Sequence, residues 1–176
     1  PKLCKIIYSS YCPKNGTIFD PFSSVVRPYM AKILDYNYVG CEVRKDECDK
    51  INEMLNTNSL FEESDVRVLN MDCREFETDQ KFDLVFTCPP YWNLETYSEQ
   101  DNDLSSITDY SDFLTEMSKV YSKCSSLMHN ESYCCFVVAD FRDYSEGRKL
   151  INHLVPFVSD MIRCGEESGL SLYDKV

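Results

Sequence analysis

Several things that would point to particular functions are scarce in this sequence. Basic residues are outnumbered, 18 lysines and arginines against 30 acidic residues, for a net charge of −12. A surface of that sign repels polyanions such as nucleic-acid backbones, so contact with one must rest on a local basic patch or on a separate module. The only imidazoles are His129 and His153, and no two of the ten cysteines stand in a C-x-x-C spacing. A structural zinc site has little to build from, and no metal is expected. Long apolar runs are missing too. The longest, around Tyr133 to Ala139, is far too short to span a bilayer, and the opening PKLCKIIYSS lacks a basic region followed by a long apolar one. These absences predict a soluble chain with no membrane partner.

What is present fits one domain across residues 1–176, with 43% hydrophobic residues and enough length to bury a core. The cysteines fall largely inside apolar runs and not in a loop-rich framework, which predicts a reduced, intracellular compartment. Apolar periodicity alternates between strand-like and helix-like segments, the pattern of an α/β sheet. A helix or turn over Lys2–Tyr11 leads through Pro13-Lys14-Asn15-Gly16 into a strand at Thr17–Phe19 that ends at Asp20-Pro21-Phe22. A helix from Ser24 to Leu34, a strand from Tyr38 to Val43 and a helix from Asp46 to Leu55 complete a first β-α-β-α unit. Strands follow at Val66–Met71 and Phe82–Thr87, then a polar, acidic loop from Asn93 to Thr108 and a helix from Tyr110 to Met128. A strand at Tyr133–Ala139, a helix over Gly147–Arg163 and a last strand at Leu170–Val176 close the prediction. With that strand at its end, the chain reads as truncated or unusually compact at the C-terminus.

Open parallel sheets bind ligands beyond the C-terminal ends of their strands. Four such ends here carry notable residues. Asp20-Pro21-Phe22-Ser23-Ser24 delivers the chain from strand to helix and can set backbone groups and an acid beside a cofactor; an acid or serine there also serves as a plain helix cap. Glu42, 22 residues after Asp20, ends the second strand, where a carboxylate can accept both hydroxyl protons of a ribose or simply face solvent. Asp72-Cys73 follows the third strand, suited to an adenine edge or to an ordinary loop.

The fourth end, Phe86-Thr87-Cys88-Pro89-Pro90-Tyr91-Trp92, is the most specific. Methylating an exocyclic amino group is hard because its lone pair is delocalised into the ring. Accepting hydrogen bonds from both amino protons favours a more tetrahedral nitrogen and aims the lone pair at a methyl donor. A Pro-Pro turn presents carbonyls without competing donors, and Tyr91 or Trp92 can stack on a base flipped out of its helix. The plainer reading is a strand terminator flanked by two core aromatics.

Together these segments resemble the amino-methyltransferases of DNA, which act on N6 of adenine or N4 of cytosine, and within them the modification methylases of bacteriophages. IFDPFSSVVRP is similar to the cofactor motif, YVGCEVRKDE to the ribose-binding strand, LNMDCREF to the adenine-side motif and FDLVFTCPPYW to the catalytic motif. NLETYSEQDNDLSSITDYSDFL and CFVVADFRD resemble blocks of the phage branch, and PKLCKIIYSSYCPKNG the helix before the cofactor motif. The resemblance implies a Rossmann-like sheet, mostly parallel with an antiparallel C-terminal edge strand and helices on both faces. It also implies S-adenosyl-L-methionine as cofactor, DNA with a flipped base as partner, and the cytoplasm of a bacterial host or phage-infected cell. Asp20, Pro21, Phe22 and Ser23 would line the cofactor, Glu42 hold its ribose, Asp72 and Cys73 lie near its adenine, and Cys88, Pro89, Pro90 and Tyr91 form the catalytic turn. Tyr91, Trp92, Glu95 and Asp140 would border the substrate, the last two equally suited to being surface acids.

Three departures stand out. Ser23 and Ser24 replace glycine, which changes how closely backbone can approach the methionine moiety. Cys88 replaces an Asp, Asn or Ser, and a thiol is a weaker acceptor, leaving more to the carbonyl of Pro89. Only about 65 residues separate the cofactor and catalytic motifs, too few for a target-recognition domain. Recognition would then rest on a separate module, on a homo-oligomer, or be absent. Two alternatives remain: a methyltransferase on RNA or a protein amide, and a non-catalytic binding module of the same fold.

Overall fold

The computed structural model describes residues 1–57, 64–143 and 153–175. Its elements, in chain order, are α1 (Lys2–Tyr11), β1 (Thr17–Asp20), α2 (Val26–Ile33), β2 (Asn37–Cys41), α3 (Lys45–Thr57), β3 (Val66–Leu69), β4 (Phe82–Thr87), α4 (Tyr110–Leu127), β5 (Met128–Phe136), β6 (Phe141–Asp143), β7 (His153–Val155) and α5 (Phe157–Glu167). Short 3₁₀ turns lie at Cys73–Glu75, Trp92–Leu94 and Leu104–Ser106. Five strands form one parallel sheet in the order β3-β2-β1-β4-β5, and β6 pairs antiparallel with β7 in a separate ladder.

Strand alternation divides the core into two layers. Neighbouring residues point to opposite faces, so Ile18, Tyr38, Leu84 and Phe86 pack with Tyr8 of α1, Ala31 of α2 and Ile51 and Leu55 of α3. Phe19, Val39 and Val85 face the other way, onto Phe113, Met117 and Val120 of α4 and Phe157 and Met161 of α5. Both faces of the sheet are covered, which is why its central strands read as near-continuous apolar runs.

Starts and stops have local causes. Asp109 caps α4, accepting from the amides of Ser111 at 2.8 Å and Asp112 at 3.1 Å. Gly40 permits a close approach: a Cβ there would lie 2.6 Å from Ser23 Oγ and 2.7 Å from Ser23 Cβ, so only glycine lets the turn after β1 sit against β2.

The α/β class with its mainly parallel sheet matches the expectation. The C-terminal quarter departs from it in two places. Where a helix over Gly147–Arg163 is expected, residues 153–155 are a strand and the helix begins at Phe157, residues 144–152 lying outside the described part. Pro156 explains the boundary: it has no amide to donate and its ring clashes inside a helix, so it can only precede one. Residues 170–175 form no strand. Gly169, at φ +88°, ends α5 with Leu170 donating back to the Gly165 carbonyl at 3.1 Å, and the tail that follows lays Tyr173 against Tyr133 of β5, ring centroids 5.2 Å apart, without joining the ladder. The antiparallel ladder is thus β6 with β7 and not an edge strand on the main sheet.

Candidate active site

The strand order reverses between β1 and β4. β1, β2 and β3 run outward on one side and β4 and β5 on the other, which leaves a crevice at the C-terminal ends. A cavity of about 470 Å³ lies there, within the range of small-molecule sites. Its wall follows the sheet: Asp72 and Cys73 after β3, Cys41 at the end of β2 and Glu42 after it, Pro21 to Ser24 with Arg27 after β1, and Cys88 to Tyr91 after β4. Glu95, Tyr97, Asn102, Asp103 and Leu104 from the acidic loop close it on another side.

The stations after β3 and β2 share a device. Glu42 is buried and faces Arg44 twice, Nε to Oε1 at 3.1 Å and Nη2 to Oε2 at 3.0 Å, and it accepts the Arg44 amide at 2.9 Å. Asp72 is buried and pairs through both oxygens with Arg74, which also reaches Glu116 and donates to the carbonyl of Asn102 in the acidic loop at 3.3 Å. Arg44 carries its guanidinium 5.4 Å from the ring centroid of Tyr97. Each arginine therefore holds a site carboxylate and the roof loop together. Burial and the Glu95 carboxylate push the Tyr97 phenol up to about 12, so it stays a donor and bonds Glu95 at 2.5 Å.

Asp20 is fully buried and does not line the cavity. Four donors hold its carboxylate: the Phe22 amide at 3.1 Å, Arg27 Nε at 2.5 Å, the Tyr38 hydroxyl at 2.5 Å and the Thr87 hydroxyl at 2.6 Å. It ties the turn after β1 to the last residue of β4, so the two central stations keep a set separation. Ser23 turns its hydroxyl toward Tyr38, at 2.9 Å, while its amide donates to Cys41 at 2.8 Å.

The Cys88-Pro89-Pro90-Tyr91 turn leaves the sheet where Thr87, through its carbonyl, still accepts from Val137 at 2.9 Å. Among the described residues no donor bonds the carbonyls of Cys88, Pro89 or Pro90. Burial pushes the Cys88 thiol up, with Arg27 nearby working the other way, so it remains protonated at neutral pH. Tyr91 is half-buried, its ring held 5.1 Å from Phe157 and 5.9 Å from Phe141. Trp92 is 1% exposed, packs 5.0 Å from Tyr110 and lies outside the cavity wall. Its φ of +49° is uncommon for a bulky residue and shows a backbone held by its surroundings as it leaves the turn.

Of the residues singled out from sequence, Pro21, Phe22, Ser23, Glu42, Asp72, Cys73, Cys88, Pro89, Pro90, Tyr91 and Glu95 come together on one wall. Asp20 and Trp92 lie behind it. Asp140 stands apart, exposed, accepting the Val158 amide at 2.9 Å and so capping the start of α5. Arg27, Arg44, Tyr97 and Asp103 belong to the wall and escaped sequence reasoning. Arg27 left one signal, a cation in the first turn of a helix, where the dipole disfavours it. Among the described residues no cluster of metal-ligating side chains occurs and no helix is long and apolar enough to cross a membrane.

No protein-family model matches the chain, and no curated protein is similar to it in sequence. Solved structures do match in fold. A TehB-like SAM-dependent methyltransferase from Corynebacterium glutamicum superposes with a TM-score of 0.55 at 11% identity, over 94% of this chain and 70% of that one. The N-methyltransferase NodS from Bradyrhizobium japonicum gives 0.54 at 12% identity, over 78% and 65%. A SAM-dependent methyltransferase from Clostridium acetobutylicum gives 0.53 at 13% identity, over 81% of this chain but only 48% of its own length. The chain has the fold of the S-adenosylmethionine-dependent methyltransferases.

Proposed function

We propose that the chain is the catalytic core of an S-adenosylmethionine-dependent methyltransferase acting on an exocyclic amino group in DNA, N6 of adenine or N4 of cytosine. One observation carries the reading: along a single cavity stand acceptors suited to a nucleoside, a tight turn, and then a Pro-Pro turn whose carbonyls meet no donor among the described residues. When bound, the cofactor supplies a methyl group on a positively charged sulfur. Glu42 accepts from a ribose hydroxyl with the one lone-pair site that the three bonds from Arg44 leave open, since a carboxylate offers about four such sites. Asp72 and Cys73 border the adenine. Pro21, Phe22 and Ser23 flank the amino-acid arm.

The acceptor side is the work of the catalytic turn. The Pro89 carbonyl accepts a hydrogen bond from the target amino group, whose nitrogen takes the methyl as the sulfur leaves as the thioether S-adenosylhomocysteine, the proton passing to solvent; the thiol of Cys88, protonated and a weak acceptor, contributes less. Tyr91 stacks on the base once it is flipped out, with Phe141 and Phe157 holding the ring in place. The net charge of −12 assigns the grip on the phosphate backbone to a separate recognition module or a second copy of the chain. The described residues would then belong to one catalytic domain.

A second reading draws on the acids of the cavity wall, Glu95 and Asp103: a protein amide as acceptor, whose planar nitrogen poses the same electronic problem without a polyanion. Labelled S-adenosylmethionine, incubated with separate pools of DNA, RNA and protein, tests both. N6-methyladenine or N4-methylcytosine in nucleosides from the DNA is the expected result, and label confined to protein or RNA overturns the choice of acceptor. Absence of cofactor binding in a folded sample would leave a non-catalytic binding module.

A further inference from the structure

The proposed reaction makes no use of the nearly buried cation beneath the turn after β1. Arg27 lies in the first turn of α2, where the helix dipole is unfavourable to positive charge, and its side chain is only 12% exposed. A guanidinium in such a place is stable only if anions surround it. Burial works against its charge, and Asp20, Tyr38 and Cys88 beside it together outweigh burial and raise its pKa. Nε donates to Asp20 at 2.5 Å and Nη2 to the carbonyl of Phe22. Nη1 meets no acceptor among the described residues, and Arg27 is one of the residues that line the cavity. Asp20 in turn is satisfied by three further donors, Phe22, Tyr38 and Thr87, so its charge is not spent on Arg27 alone. The guanidinium keeps both a donor and a share of its charge for a second anion.

The order of stations identifies that anion. With adenine at Asp72 and Cys73 and ribose at Glu42, the next station along the sheet, about one strand spacing of 4.8 Å further on, holds whatever extends from the ribose. In S-adenosylmethionine that is the amino-acid arm, with an ammonium and a carboxylate. Glu42, Asp72, Glu95 and Asp103 on the wall suit cations, and Arg44 is engaged by Glu42 through both of its oxygens. Arg27 is the cation left for the carboxylate. Ser23, whose side chain is turned to Tyr38, stands where a closer backbone approach would otherwise serve.

We infer that Arg27 anchors the carboxylate of the cofactor's amino-acid arm through the guanidinium edge facing the cavity, with Asp20 as the positioning residue that holds it there. The inference rests on reading the cavity as an S-adenosylmethionine site. Calorimetry with S-adenosylmethionine and its decarboxylated analogue, on the wild-type chain and on Arg27→Gln and Arg27→Lys, tests it. The wild type should bind S-adenosylmethionine about ten- to a hundredfold more tightly than the decarboxylated analogue, the range of a charge-assisted hydrogen bond. Arg27→Gln should erase that preference and leave the analogue's affinity within about twofold, and Arg27→Lys should restore part of it. Equal affinity of the wild type for both ligands overturns the inference without any variant, and so does an equal loss for both in Arg27→Gln. Failure of the wild type to bind either ligand instead overturns the assignment of the cavity itself.

Discussion

Along the ends of β3, β2 and β1 each site carboxylate is paired with an arginine: Asp72 with Arg74, Glu42 with Arg44 and Asp20 with Arg27. From β4 onward the wall is a Pro-Pro turn, a half-buried tyrosine and an acidic loop that is exposed except at Asp103 to Ser105. The first region is buried, charge-compensated and cross-braced, as suits a small ligand whose shape is always the same. The second has open carbonyls and mobile-length side chains such as Leu94 and Tyr97, each 49% exposed, as suits an acceptor arriving as part of something larger. A preformed half beside an open half separates binding from turnover, and substitutions on the two sides should therefore fail in different assays.

The largest effect is expected where the halves are joined. Asp20→Ala leaves Arg27 nearly buried and unpaired and should cost about 3–5 kcal/mol of global stability, read from the midpoint of urea unfolding. A loss below 1 kcal/mol would mean that Asp20 does not brace β1 against β4. Next, Tyr91→Ala and Pro90→Ala should each lower methyl transfer about a hundredfold while cofactor affinity by calorimetry stays within about threefold. A parallel loss in binding would erase the division between the two regions. On the other side, Glu42→Ala should weaken cofactor binding about tenfold by removing the charged acceptor for a ribose hydroxyl.

The smallest effect sharpens the role of Cys88. A serine oxygen accepts better than a thiol, so Cys88→Ser should raise transfer by about threefold or more, measured at saturating cofactor. The thiol's raised pKa also sets a sign: less thiolate forms at a given pH, so alkylation of Cys88 by iodoacetamide at pH 8 should be slower than that of a free thiol. Peptide mass spectrometry reads the site, and faster alkylation would show a thiol activated for its own chemistry.

Much of the fold was legible because the central strands announce themselves. Val85 and Phe86 are buried on opposite faces and must both be apolar, and Pro89-Pro90 must end the ladder. Prediction was weakest after β5. A helix across Gly147–Arg163 satisfies apolar spacing, yet Pro156 cannot sit inside one, and Leu170–Val176 has strand composition with no ladder to join among the described residues. Strand propensity needs a partner, and partners are a tertiary matter. At the site, Glu42 and Cys88 to Tyr91 stood out because their chemistry follows strand ends. Asp20 stood out equally, but the four donors that draw it behind the wall come from residues up to 67 positions away.

By itself the sequence determined the alternation of strands and helices, the strand ends where ligands meet an open parallel sheet, and the Pro-Pro turn, because periodicity, chain breaks and missing amide donors are local properties. Only the tertiary structure decided which acids face the cavity and which lie behind it, that Arg27, Arg44 and Arg74 partner them, and that Trp92 and Asp140 serve packing and capping. Arg44 and Arg74 stand only two residues from the acids they pair with and Arg27 seven, yet whether such a neighbour folds back onto its acid or reaches into solvent depends on the burial that the sheet and the acidic loop impose.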